Sequence, residues 1–102
     1  PEFAVANVHL SHGQILNRRQ LHRIARFLPG HAMIIGDCNM LGPSLLPRYS
    51  DIGPRMATHN AGHIIPLRLD RCFVRGLTIL EAALLNRGTS DHRPMAVICL
   101  AD

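Results

Sequence analysis

Residues 32–41, AMIIGDCNML, decide how this chain is read. Residues 32–38 have the length of a buried strand, and the apolar run 32–35 that opens them climbs to a glycine before an Asp, a small residue and an Asn. An acid at the exit of the most hydrophobic strand calls for a reason, because only seven acids occur in the chain and an unpartnered carboxylate is costly to bury.

Working outward, residues 4–10, AVANVHL, read as another strand. Its period of two puts Val5, Asn7 and His9 on one face and Ala4, Ala6, Val8 and Leu10 on the other. SHGQ turns the chain. Leu21, Ile24, Ala25 and Leu28 then recur at helical spacing, which predicts a helix over 17–28 ended by Pro29-Gly30. Strand, helix and strand with short joints make a parallel crossover unit, so the expected fold class is α/β. Residues 40–66 are rich in Pro, Gly and Ser and read as a long loop. Further strands are expected over 67–74, 77–85 and 95–100, with a turn at Arg75-Gly76 and a loop at NRGTSDHRP.

Composition narrows the classes. A chain of 102 residues with 47% hydrophobic content suits one small domain, and 4% aromatic content with no Trp makes its core aliphatic. No apolar run approaches a membrane span of ~20 residues and no secretory signal is visible, so a cytoplasmic, reducing setting is expected. Cys38, Cys72 and Cys99 show no C-x-x-C spacing and read as buried small hydrophobes. PEF at the start reads as a vector scar, leaving 4–102 as the natural segment.

All eleven basic residues are Arg, and the net charge is +4. Arg18, Arg19, Arg23 and Arg26 cover the polar side of the expected helix. They read either as a solvated face or as a patch that tracks phosphates. Few aromatics are left for base stacking. His59 and His63 stand four apart, but Asn60 and Gly62 disfavour the helix that would put both on one face. His12 and His31 read as loop histidines, and His22, on the helix outside the apolar stripe, reads as solvated.

The remaining polar residues gather at strand ends. Asn7 and His9 close the first strand, Asp37 and Asn39 close the crossover strand, and Asp91 and His92 precede the last. Ligand sites of open α/β sheets lie beyond the carboxyl ends of strands. Asp70 sits among apolar strand residues and needs a partner, for which a histidine is suited, since a carboxylate on one ring nitrogen leaves the other for chemistry. Asp91 has the character of a divalent-cation ligand.

Four segments in order, NVHLSHG, IIGDCNM, LRLDRCFV and TSDHRP, resemble the second half of the endonuclease/exonuclease/phosphatase superfamily, whose members include DNase I-like nucleases and inositol phosphatases. The resemblance covers nearly all of 4–102. It implies one half of a DNase I-like α/β sandwich, a mixed β-sheet with a flanking helix. It also implies the site. His9 would donate to the scissile phosphate, and Asp37 and Asn39 would orient the attacking water and hold a phosphate oxygen. Asp70 would pair with His92, the general base or transition-state stabiliser. Asp91 would bind Mg²⁺, Mn²⁺ or Ca²⁺, and Asn7 would support the substrate. The implied reaction is hydrolysis of a phosphate ester in DNA, a phospholipid headgroup or another substrate by metal-activated water.

The resemblance also implies a missing part. The superfamily's first half carries a metal-binding Glu, and this chain offers only Glu2 and Glu81, neither in a matching context. The expectation is therefore a C-terminal fragment, inactive alone, that lacks its N-terminal half and self-associates through a bare apolar sheet face. The alternative is a non-catalytic module that binds protein or nucleic acid.

Overall fold

The computed structural model describes residues 2–52, 59–61, 65–67, 69–84 and 95–102. The crossover unit forms as expected. Strand β1 (Ala4–His9) leads into helix α1 (Gln14–Phe27) and then strand β2 (Ala32–Asp37). The two strands run parallel, in register from Ala4 opposite Ala32 to His9 opposite Asp37.

The helix begins three residues before the expected start. Gly13 stands in the extended conformation at its N-cap, without a side-chain cap, so nothing in the local sequence announces the boundary. Asn17, Leu21 and Ala25 form the buried stripe. At the other end Arg75 reaches from the sheet to the carbonyl oxygens of Leu28, Pro29 and Gly30. A guanidinium there satisfies acceptors that a helix terminus leaves open.

The stretch expected as one loop carries three short strands, β3 (Ser50–Asp51), β4 (His59–Ala61) and β5 (Ile65–Leu67). Strand β6 (Asp70–Arg75) starts three residues later than expected, because Leu67 pairs with His59 instead. Strands β7 (Leu77–Leu84) and β8 (Met95–Ala101) form an antiparallel hairpin with a bulge between Ile79 and Glu81. The strand assignment at LEAALL is thus borne out over the helical propensity of those residues. Pairing with β8 supplies what local preference does not.

The main sheet has the order β1-β2-β6-β3 and is mixed: β1 and β2 are parallel, while β6 runs antiparallel to both β2 and β3. One face packs against α1. Its core holds Leu21, Ile34, Cys38, Met40 and Phe73, all fully buried. The opposite face carries Met33, Cys72 and Val74, which pack against Leu77, Ile79, Val97 and Cys99 of the hairpin. The fold is therefore mixed α/β, with a helix on one side of a small sheet and a two-stranded layer on the other. The hairpin covers much of the apolar sheet face that the sequence leads one to expect bare, while Val5 on that face stays 55% exposed. One layer further out, Leu80, Ile98 and Leu100 of the hairpin are exposed as well.

Candidate functional site

Strand pairing brings three of the anticipated residues to one rim. His9 is opposite Asp37 in the parallel pair, and Asp37 is opposite Asp70 in the antiparallel pair. Side chains at paired positions share a face. The face is the one that carries Met33, Ile35 and Cys72, away from the helix. The Nε2 of His9 lies 3.7 Å from Oδ2 of Asp37, with the imidazole open to solvent and the carboxylate only 20% exposed. Like charges at directly opposed positions repel. Asp37 stands directly across from Asp70, an arrangement that a cation or a histidine between them would stabilise. Asn7 lies on the same face two residues back along β1 and is exposed.

Gly36 lets this rim close. Its φ is 144°, and a Cβ there would stand 2.1 Å from the carbonyl oxygen of Val8. Any side chain would push β1 from β2 just before the Asp. Beyond Gly36 the backbone is tied on both sides. The amide of Leu10 donates to Asp37 O at 2.8 Å, and the amide of Cys38 donates to Leu69 O at 3.0 Å. Oδ1 of Asp37 accepts the Asn39 amide at 3.0 Å, which turns the chain and fixes the carboxylate's orientation.

Asn39 stands differently from what the resemblance implies. It is 5% exposed, and its Nδ2 donates to Leu10 O at 2.8 Å. Its φ of 48° is left-handed, a region Asn tolerates better than most residues. The carbonyl of Asn39 accepts from Nε2 of Gln14 and Nδ2 of Asn17, at 2.9 and 3.0 Å. It therefore braces the loops that carry His9 and Asp37, and its amide nitrogen is committed to protein.

Several supports went unnoticed in the sequence. Asn17 is fully buried on the helix, where helical spacing alone marks it as an interruption of the apolar stripe. Gln20 accepts the Ser11 amide at 2.9 Å. Arg71 is 4% exposed, donates to the carbonyls of Met40 and Gly42, and pairs with Asp51 at 3.4 Å. It therefore anchors the loop after Asn39 to the sheet. The only signal was an Arg in an apolar strand.

Burial pushes the Cys38 thiol up to about 12, against the opposing pull of Arg71. Although it stands between Asp37 and Asn39, it stays protonated at neutral pH and is no nucleophile. Asp91 and His92 lie outside the described residues, as does His63. His22, expected to be solvated, is half-buried. No described helix is long and apolar enough to cross a membrane.

The fold has a solved counterpart. A functionally unknown conserved protein from Enterococcus faecalis V583 superposes with a TM-score of 0.66 over 96% of this chain, at 22% identity. The present chain spans about half the length of that protein, as the match covers 50% of it. At this identity the likeness concerns the fold alone. No family model matches the sequence, and no curated protein does.

Proposed function

We propose that the chain is the C-terminal half of a metal-dependent phosphohydrolase similar to the endonuclease/exonuclease/phosphatase superfamily, forming half of a DNase I-like sandwich. The observation that carries this reading is the register His9–Asp37–Asp70 at a single rim. The three residues come from three of the four segments on which the resemblance rests. A solved neighbour of twice the length is consistent with a half.

In this reading each side chain has a task. Asp37, held by the Asn39 amide, orients the attacking water toward phosphorus. His9, open to solvent beside it, donates to a phosphate oxygen. Asp70 receives the ring of His92 and fixes its tautomer. Asn39 acts one step removed, by holding the Leu10 carbonyl and thereby the place of His9. Positioning of this kind is demanding, since an error of ~1 Å can cost about 10²-fold in rate.

The donor set suits a hard divalent cation. Carboxylates gathered at this rim are oxygen ligands of the sort Mg²⁺ takes, with water filling other positions and Asp70 kept for His92. Among the described residues no three of His, Cys, Asp and Glu group closely enough to cage an ion. Asp91 is therefore the proposed further ligand. A bound cation would neutralise charge on the phosphoryl oxygens.

The test is hydrolysis of a chromogenic phosphodiester by the full-length protein, with and without Mg²⁺. Metal-dependent turnover is expected, reduced about 10²-fold or more by Asp37→Asn and by His92→Ala. Turnover unchanged by both substitutions, or no turnover on any diester or monoester, would overturn the reading and favour a non-catalytic binding module.

A further inference from the structure

Three clefts adjoin one another around α1. The first lies at the β1 edge and is lined by Asn7, His9, Gln20 and Arg23. The second, about 550 Å³, runs over the helix between Arg18, Arg19, His22, Arg23 and Arg26. The third, about 460 Å³, lies on the other flank between Arg26, Arg48, Tyr49 and Arg75. Arg23 belongs to the first two, and His22 and Arg26 belong to the last two. Among the described residues no acid lines any of them, and α1 has none in its 14 residues.

The guanidinia of this band differ in their commitments. Arg18 is spent on the carbonyls of Leu41 and Pro43, and Arg75 on the end of the helix, where it also stacks over the Tyr49 ring at 4.6 Å. Arg19, Arg23, Arg26 and Arg48 make no hydrogen bond or ion pair among the described residues. Four such cations in a strip where the described residues place no acid repel one another. Water and salt screen that repulsion in part, and an anionic partner would relieve it further.

We propose that this band binds the sugar–phosphate backbone of a nucleic acid. A single phosphate compound would occupy one cleft, whereas three joined clefts fit a polymer of phosphates. Arg19, Arg23 and Arg26 follow each other by four and three positions, so they span about 10 Å along the helix at ~1.5 Å per residue. A nucleic-acid strand advances ~3.4 Å per phosphate along its axis, so that row faces about three nucleotides. The band also crosses from the β1 edge over the helix to the flank near β6. A flat anionic bilayer would meet only its crest, although exposed Ile15 and Phe27 stand at either end of the helix. The band begins at His9. In the one respect that it names a nucleic acid as the polymer led to that rim, it rests on the hydrolytic reading; the binding itself does not.

The experiment is fluorescence anisotropy of a labelled single strand of roughly 20 nucleotides with the 102-residue chain, in a chelator so that no metal-dependent turnover intervenes. The logarithm of the affinity should fall against the logarithm of salt with a slope near −3, about −0.7 for each of four free guanidinia. The double variant Arg23→Gln/Arg26→Gln should flatten the slope by about 1.4 and weaken binding at least ~10-fold at ~0.1 M salt. Arg48→Gln lies off the helix and serves if the double variant misfolds; it should flatten the slope by about 0.7. A slope near zero, a slope that neither variant changes, or tighter binding to phosphatidylserine vesicles than to the strand would overturn the proposal. Binding that persists while the full-length protein shows no hydrolysis supports the proposal and sinks the catalytic reading alone. Metal-dependent hydrolysis by the full-length protein without salt-sensitive binding does the reverse.

Discussion

The two faces of the main sheet are finished to different degrees. On the helix side, Leu21, Ile34 and Phe73 are fully buried, and α1 closes the layer with its arginines, Ile15, Leu16 and Phe27 turned to solvent. On the other side, Met33, Cys72 and Val74 are buried by a hairpin that turns Leu80, Ile98 and Leu100 outward, each more than half exposed. A helix can be amphipathic around its own circumference, so one element both covers a core and ends it. A two-stranded layer has two faces, and residues alternate between them, so covering one apolar face with alternating apolar residues exposes a second. The helix side thus ends in a face of arginines with Ile15, Leu16 and Phe27 exposed towards the helix ends, and the hairpin side in a layer whose outer face is apolar at Leu80, Ile98 and Leu100.

The sharpest way to break this comparison is to remove the centre of each side. Phe73→Ala should cost about 3–5 kcal/mol in urea unfolding, as expected for a large cavity in a packed core. Equal destabilisation by Leu100→Lys, on the outer hairpin face, would show that the faces are not unequal in this way, since a substitution there should stay within about 0.5 kcal/mol.

Thiol titration sharpens the comparison further, because the two buried cysteines sit on opposite faces. Burial pushes both Cys38 and Cys72 up to about 12. Each folded value is raised, so the native state holds protons that the unfolded state releases above about pH 9. The resulting stability is complete below that pH and drains away as pH rises toward 12, by at most about 4 kcal/mol per thiol. Urea midpoints measured from neutral to alkaline pH should fall accordingly. Replacing Cys38 or Cys72 by Ala should each remove part of the fall. Half-buried Cys99 should react first with a thiol reagent at neutral pH. Reaction of Cys72 ahead of Cys99 would mean that the hairpin does not cover the sheet.

The smallest expected effect concerns association. Ile98→Lys together with Leu100→Lys should shift sedimentation toward monomer at high concentration with little change in stability, because an exposed apolar patch favours self-contact. An unchanged sedimentation profile would remove that face from the account of self-association.

Much of the frame was legible in the sequence. The period of two in AVANVHL, the helical spacing of Leu21, Ile24, Ala25 and Leu28, and the apolar run into GDCN gave the crossover unit. They also put His9 and Asp37 at strand ends. These patterns are local, and burial on one face enforces them. Boundaries were less legible. The uncapped start of α1 has no side-chain signal, and Leu67 was lost from the expected strand to a partner eight residues earlier, His59.

What the sequence by itself determined is the crossover unit, the strands at β6, β7 and β8, and the shared rim of His9, Asp37 and Asp70, but not the three short strands β3, β4 and β5. A strand's face is set by counting, and a glycine before an Asp marks where two backbones must touch. Only the tertiary structure decided which polar groups are spent on protein. Asn39 turned out to hold Leu10, Asn17 to hold Asn39, and Arg71 to hold the loop at Met40 and Gly42, each across more than twenty positions of chain. It also decided that the hairpin covers the sheet. Hydrogen bonds and cover are made between segments that folding brings together, and no local period encodes which segments those are.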